Sequence, residues 1–258
     1  MSLLCIDIGN TNIVLGTYAG HELTGNWRIS TDRDRMPDEY GMLIWSLLQH
    51  GDQDPRAVDS ICLASVVPPL TSWFEEMCER YFGQTPLVVS AGVKTGVRIR
   101  YDNPREVGAD RIANAVAAFR RYGGPACVVD FGTATTFDAI SVEGDYLGGA
   151  IAPGPRTAVE ALFLHTAKLP RIDLVPPARA IGTNTVESMQ SGLMWGYVGL
   201  VEGLVTRFRR ELGPAMRVIA TGGLASLIAA QTDVFEVVDT WLTLDGLRII
   251  WELNHPSK

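Results

Sequence analysis

The sequence predicts an α/β protein of two domains, each a mixed sheet flanked by helices. Three observations carry that prediction. The chain is 258 residues long, more than one core usually spans and enough for two modest ones. Strand-like runs in a meander are followed by strands alternating with helices, and this order occurs twice. Finally, Cys5-Ile6-Asp7-Ile8-Gly9-Asn10-Thr11-Asn12 returns as Val128-Val129-Asp130-Phe131-Gly132-Thr133-Ala134-Thr135. Each copy is an apolar strand that runs into an acid, a glycine and small hydroxyl or amide residues, and each resumes as a strand.

The first half opens with strand-like runs at about 3–8, 13–18 and 23–30, separated by turn residues. Residues 37–48 read as a helix with proline near its start, 61–67 as a buried strand, 68–81 as a second helix and 87–89 as a short strand. Residues 90–107 lose periodicity, and a loop of that length usually carries function or links domains. The helix 109–122 ends at Gly123-Gly124 and holds the expected boundary between domains 1–115 and 116–258. The second half repeats the scheme, with strands at 126–130, 135–141 and 146–151 and a helix at 156–164. A Pro-rich connection, 169–177, leads to a long helix at 185–212. A strand at 216–221, the pair Gly222-Gly223 with a short helix, a strand at 235–238 and a helix at 243–253 complete the order.

Within the long helix, Gly192, Gly196, Gly199 and Gly203 share one face. Each costs about 1 kcal/mol in a helix interior, so the stripe points to close backbone packing, either within the chain or against a second helix across a dimer.

Composition narrows the function. With 47% hydrophobic and 20% charged residues the chain is of ordinary globular type, and its net charge of −7 argues against a general nucleic-acid surface. Cys5, Cys62, Cys78 and Cys127 are widely separated and mostly within apolar runs, which reads as buried thiols in a reducing compartment rather than a zinc site. His21, His50, His165 and His255 are scattered singly. The amino terminus lacks a signal-peptide pattern and no stretch is long enough to span a bilayer, so a cytoplasmic location is expected.

A lone Asp-x-Gly is common hairpin chemistry. Duplicated, it suggests more: the glycine permits a tight turn whose amides can approach phosphate oxygens, and the acid at the strand end can hold a hydrated cation. Two such turns facing each other would clamp a metal-nucleotide. The arrangement resembles the phosphate loops of the acetate kinase, sugar kinase, heat-shock ATPase and actin superfamily.

More specifically, Asp7-Ile8-Gly9-Asn10-Thr11, Gly108-Ala109-Asp110-Arg111 and Asp130-Phe131-Gly132-Thr133-Ala134-Thr135-Thr136 resemble, in this order, the signature motifs of the type III pantothenate kinase family. Gly148-Gly149-Ala150-Ile151-Ala152-Pro153-Gly154, Thr166-Ala167-Lys168-Leu169-Pro170 and Gly182-Thr183-Asn184-Thr185 are also similar to that family. The resemblance implies two actin-like (ribonuclease H-like) domains with the nucleotide cleft between them. It further implies ATP-dependent phosphorylation of pantothenate to 4'-phosphopantothenate, the first step of coenzyme A biosynthesis. Magnesium, a monovalent cation (potassium or ammonium) and a homodimer with the substrate site near its interface follow from the same resemblance.

Residue roles follow in the same way. ATP and its phosphates would be met by Asp7, Ile8, Gly9, Asn10, Thr11, Asn12, Ile13 and Val14 from one half and by Gly132, Thr133, Gly222 and Gly223 from the other. Asp7 would hold magnesium, through water, and Asp130 the monovalent cation, although Asp130 also reads as a turn acid. Asp110, which by position alone caps a helix, becomes the general base, and Arg111, otherwise a helix charge, the ligand for the pantothenate carboxylate. Gly108, Ala109, Tyr101 and Thr185 join the substrate site, where Tyr101 also reads as a packing aromatic and Thr185 as a helix cap. Pro155-Arg156-Thr157 departs from the more flexible or aliphatic continuation expected after Gly154. Competing readings keep the fold but change the role, to a kinase of another small hydroxyl compound or to a regulatory or accessory homologue with weak catalysis.

Overall fold

Both halves of the sequence build the same five-stranded sheet. The computed structural model describes residues 2–256. In the first half, β1 (Ser2–Ile8), β2 (Asn12–Ala19) and β3 (Glu22–Ser30) form an antiparallel meander. Helix α1 (Pro37–His50) leads to β4 (Ser60–Ser65), which pairs parallel with β1, and α2 (Pro68–Met77) leads to β5 (Leu87–Val88), parallel to β4. The order is β3-β2-β1-β4-β5. After α3 (Ala109–Tyr122), the scheme is repeated by β6 (Ala126–Phe131), β7 (Ala134–Ile140), β8 (Tyr146–Pro153), α4 (Pro155–His165), α5 (Thr185–Leu212), β9 (Arg217–Thr221), α6 (Ala225–Ala229) and β10 (Val237–Val238). Its order is β10-β9-β6-β7-β8, with β6, β9 and β10 parallel. Helix α7 (Leu242–Asn254) ends the fold.

Local chemistry sets the element ends. Proline opens α1, α2 and α4, where its missing N–H costs nothing and its fixed φ suits the first turn. The predicted helix 68–81 instead stops at Met77 and passes into a π-helical turn, Cys78–Phe82, closed by Gly83 in the left-handed region at φ 65°. Helix α5 is capped by Asn184, whose side chain accepts from the Glu187 N–H at 2.9 Å, while Glu187 Oε2 accepts from the N–H and hydroxyl of Thr183. The capping role expected as one reading of Thr185 therefore falls to its neighbour.

The chain divides into two compact units, residues 1–117 with 242–258, and residues 118–241. The expected split at 115/116 comes close to the boundary inside α3, but the last helix belongs with the first unit. Its Gly246 lies so close to Ala113 of α3 that a Cβ there would overlap the Ala113 carbonyl. Thr243 also donates to the Asn114 side chain at 2.7 Å.

Strand alternation sorts each sheet into two faces. In the first unit Leu4, Ile6 and Ile8 join α1 and α2 in a core with Tyr40, Ile44, Leu70 and Phe74, so Cys5 and Asp7 face the side that α7 covers. In the second unit Cys127, Val129 and Phe131 pack with α4, α5 and α6, and Asp130 faces the other side. The two acids thus occupy equivalent faces of equivalent strands.

All four cysteines are buried and free. Burial raises every one of these thiols, Cys62 and Cys78 to about 12, which keeps them protonated and inert.

Candidate functional site

In the first unit, β1 ends at Ile8 and β2 resumes opposite it at Ile13. Between them the chain turns through Gly9, whose N–H donates to the Asn12 carbonyl at 3.0 Å. A Cβ on Gly9 would meet that oxygen at 3.0 Å, so the turn is tight but has no positive φ that demands glycine. Asn10 and Thr11 are exposed, and Arg33 donates to Asn10 Oδ1 at 2.9 Å. Ile8 and Ile13 bury their side chains in the core, which leaves only their main chains to offer a ligand. Val14 is the cross-strand partner of Asp7 and shares its face.

The second unit repeats the turn with one residue fewer, since Phe131 faces Thr135 and Gly132 N–H donates to the Ala134 carbonyl at 3.0 Å. The duplication read in the sequence, which sets Thr135 against Asn12, shifts by one after the glycine. Asp130 pairs with Thr221 of β9, and the next residue, Gly222, adopts φ 90°. A side chain at Gly222 would overlap the Asp130 carboxylate, so both backbone and space require glycine there. Gly223 is exposed beyond it.

Asp110 is the second residue of α3, and its Oδ1 accepts the Arg111 N–H at 2.8 Å. One oxygen of the carboxylate therefore does cap a helix donor. Burial raises its pKa above the usual aspartate value, opposed by that hydrogen bond and by the Arg111 charge. A Cβ on Gly108 would stand 2.5 Å from Asp110 Oδ1 and 3.3 Å from the Val66 side chain. Val66 N–H in turn donates to the Ile8 carbonyl at 3.0 Å. The start of α3 is thereby packed against the end of β1, and glycine at 108 makes room for the carboxylate. Ala109 and Arg111 are both 8% exposed. A buried guanidinium stays charged and is held stably only opposite anionic or accepting groups.

Tyr101 is half-buried in the loop before the 3₁₀ turn Pro104–Glu106, and Thr185 is the exposed first residue of α5. Within the first unit the structure gathers the Asp7 turn, Gly108 and Asp110. Within the second it gathers Asp130, Gly132, Thr133 and Gly222.

The donors at Asp7, Asn10 and Asn12 are all oxygen, apart from the amide nitrogens of the asparagines. Among the described residues no group of three His, Cys, Asp or Glu side chains forms a metal cage. One carboxylate with water and phosphate oxygens completing the shell is the way magnesium is held in phosphotransferases, so this turn suits it.

Sequence reasoning missed the threonines behind the turns. Thr31 Oγ1 donates to the Gly9 carbonyl at 2.7 Å, and Thr157 Oγ1 to the Thr133 carbonyl at 2.7 Å. Thr157 lies in the stretch noted as a departure, which opens α4 after Gly154. A side chain at Gly154 would overlap the Gly132 and Thr133 carbonyls. No local signal marks the threonines, since their partners are 22 and 24 residues away.

A family model for type III pantothenate kinase matches residues 3–207. The chain is 56% identical over 252 residues to a type III pantothenate kinase of Moorella thermoacetica, covering 98% of this chain and 99% of the relative. It is 55% identical over 252 residues to that of Roseiflexus castenholzii, with the same coverage. Among solved structures, an inorganic polyphosphate/ATP-glucomannokinase from Arthrobacter sp. strain KM superposes with a TM-score of 0.51 at 15% identity, covering 98% of this chain and 99% of that one. At that identity the likeness shows the fold alone, the actin-like fold of the sugar kinases.

Proposed function

The chain belongs to the type III pantothenate kinase family, and on that premise we propose that it transfers the terminal phosphoryl group of ATP to the primary hydroxyl of pantothenate, with Asp110 as the base. The observation that carries this reading is the identity of more than half of all positions to pantothenate kinases over almost the whole chain. The product, 4'-phosphopantothenate, enters coenzyme A biosynthesis.

Phosphoryl transfer asks a protein for position, for neutralised phosphate charge and for a group that takes the acceptor's proton. Asp110 is suited to the last task. Its raised pKa brings it closer to the hydroxyl it must deprotonate, and Oδ1, held by Arg111 N–H, fixes the plane of the carboxylate. Oδ2 takes the proton as the oxygen attacks. The Arg111 guanidinium suits the pantothenate carboxylate, since its fork matches two oxygens. Tyr101 and Thr185 complete the substrate contacts.

The phosphates are met by the amides and polar side chains of the Gly9–Asn12 turn and by Gly132 and Thr133, with Gly222 and Gly223 toward the adenosine. Asp7 would hold magnesium, which when bound offsets phosphate charge, and Asp130 would hold potassium or ammonium.

The protein works as a homodimer through the glycine face of α5. Built side chains at Gly192, Gly196 and Gly199 meet nothing within 4 Å, and these glycines are exposed. Open space at these three glycines is what supports a second helix, rather than packing within the chain, against the stripe. The location is the cytoplasm, in keeping with free buried thiols; no helix among the described residues is long and apolar enough to cross a membrane.

The test is ADP release on adding pantothenate to the protein with magnesium-ATP, in potassium and in sodium. Pantothenate-dependent turnover is expected, faster in potassium. Turnover indifferent to the cation would remove the role of Asp130, and none in either salt would remove the acceptor.

A further inference from the structure

We propose that Thr31 and Thr157 are positioning residues that set the backbone of the two phosphate turns so that an amide, not a carbonyl, is offered to ATP. The inference rests on the reading of those turns as phosphate sites. Thr31 grips the first turn twice, with Oγ1 donating to the Gly9 carbonyl at 2.7 Å and its N–H to the Thr11 carbonyl at 3.0 Å. In the second turn the Thr133 carbonyl accepts both Thr157 Oγ1 at 2.7 Å and the Gly154 N–H at 3.0 Å.

A trans peptide is planar, with its C=O and the following N–H on opposite edges. Pinning the Gly9 carbonyl therefore aims the Asn10 N–H away from Thr31, and pinning the Thr133 carbonyl aims the Ala134 N–H away from Thr157. Without the tether, the Gly9–Asn10 peptide, which follows glycine, can rotate cheaply, and the Thr133–Ala134 peptide loses one of the two donors that hold its carbonyl. The rotated plane would turn an oxygen toward the phosphate, which loses a donor and adds repulsion.

The device arises twice by different routes. Thr31 follows the last strand of the first meander, whereas Thr157 stands in the first turn of a helix. The turns differ in length and the anchored carbonyl differs with them, at the glycine in one and one residue after it in the other. Two unlike local structures that end in a threonine hydroxyl on a turn carbonyl point to the orientation of that peptide as the shared requirement.

The experiment compares the full-length protein with Thr31→Val, Thr31→Ser and Thr157→Val. Valine keeps the shape and removes the hydroxyl; serine restores it. Binding of a non-hydrolysable ATP analogue with magnesium is measured directly, and KM for pantothenate by turnover. Each valine variant should bind the analogue about fivefold to tenfold more weakly, the equivalent of one hydrogen bond. Thr31→Ser should bind as the wild type does, and KM for pantothenate should not change. Thr157 is exposed, so its variant folds and carries the test even where Thr31→Val does not. Unchanged analogue affinity in the valine variants, or a serine variant as weak as valine, overturns the proposal. A wild type that binds the analogue but does not phosphorylate pantothenate refutes the acceptor and leaves the valine comparison decisive. A wild type that does not bind the analogue overturns both.

Discussion

Asp110 serves the fold through one carboxylate oxygen and, in the reaction proposed above, accepts the proton through the other. Its Oδ1 is spent on a helix N–H and its burial raises its pKa. Asp110→Asn should lower kcat by about 10²–10⁴-fold, and the acid limb of the wild-type pH–rate profile should lie above the ordinary aspartate value, because turnover needs the deprotonated form. Stability should move the other way. The folded chain keeps the Asp110 proton to higher pH than the unfolded chain does, so stability falls as pH rises through that window. Thermal unfolding of Asp110→Asn at neutral pH should therefore match or exceed the wild type, with the difference vanishing below the usual carboxylate range. Loss of both activity and thermal stability at neutral pH would assign Asp110 to the fold alone. Gly108→Ala tests the same site by space, since its Cβ meets the carboxylate at 2.5 Å; it should cut kcat while the protein stays folded in circular dichroism. The proposed role of Asp110 came from the resemblance of Gly108-Ala109-Asp110-Arg111 to the family motif. That glycine at 108 makes room for the carboxylate beside Val66 was not legible, because Val66 is 42 positions distant from Gly108 in the chain.

At the scale of elements, α5 carries the clearest contrast. Its bounds were readable, since Asn184 precedes an apolar-periodic stretch with Glu187 in the first turn and Gly213 follows its end. Asn184→Ala should cost about 1 kcal/mol of stability, read as a lower unfolding midpoint in urea. The helix face was harder. A stripe of glycines looks the same in sequence whether a neighbour within the chain or a second copy covers it, and only the folded chain shows the open space beside Gly192, Gly196 and Gly199. Gly196→Leu should leave the monomer folded and shift sedimentation from dimer to monomer; a dimer that persists would place the interface elsewhere. Strand ends were legible for a different reason, because acid-glycine turns and period-two alternation are both local. The one-residue difference between the two turns escaped notice, since it depends on which residues face each other across β6 and β7.

At the scale of the molecule, the first unit is completed only by the far end of the chain. Leu242, Leu244, Leu247 and Ile250 of α7 are buried there, and each such side chain contributes about 1.5–3 kcal/mol, which together rivals the whole stability of a domain. A chain ending at Trp241 should therefore label rapidly with a thiol reagent at Cys5 and Cys62, which lie on the face α7 covers, and more slowly at Cys127. Equal protection of all three would show that α7 is dispensable. The two meanders, the acids that end their central strands and the family were readable along the chain, because alternation, turn chemistry and motif order are properties of neighbouring residues. Which sheet receives the last helix, which glycine face stays bare and which threonines hold the turns were decided by contacts between segments tens to hundreds of positions apart, and such contacts exist only once the sheets have formed.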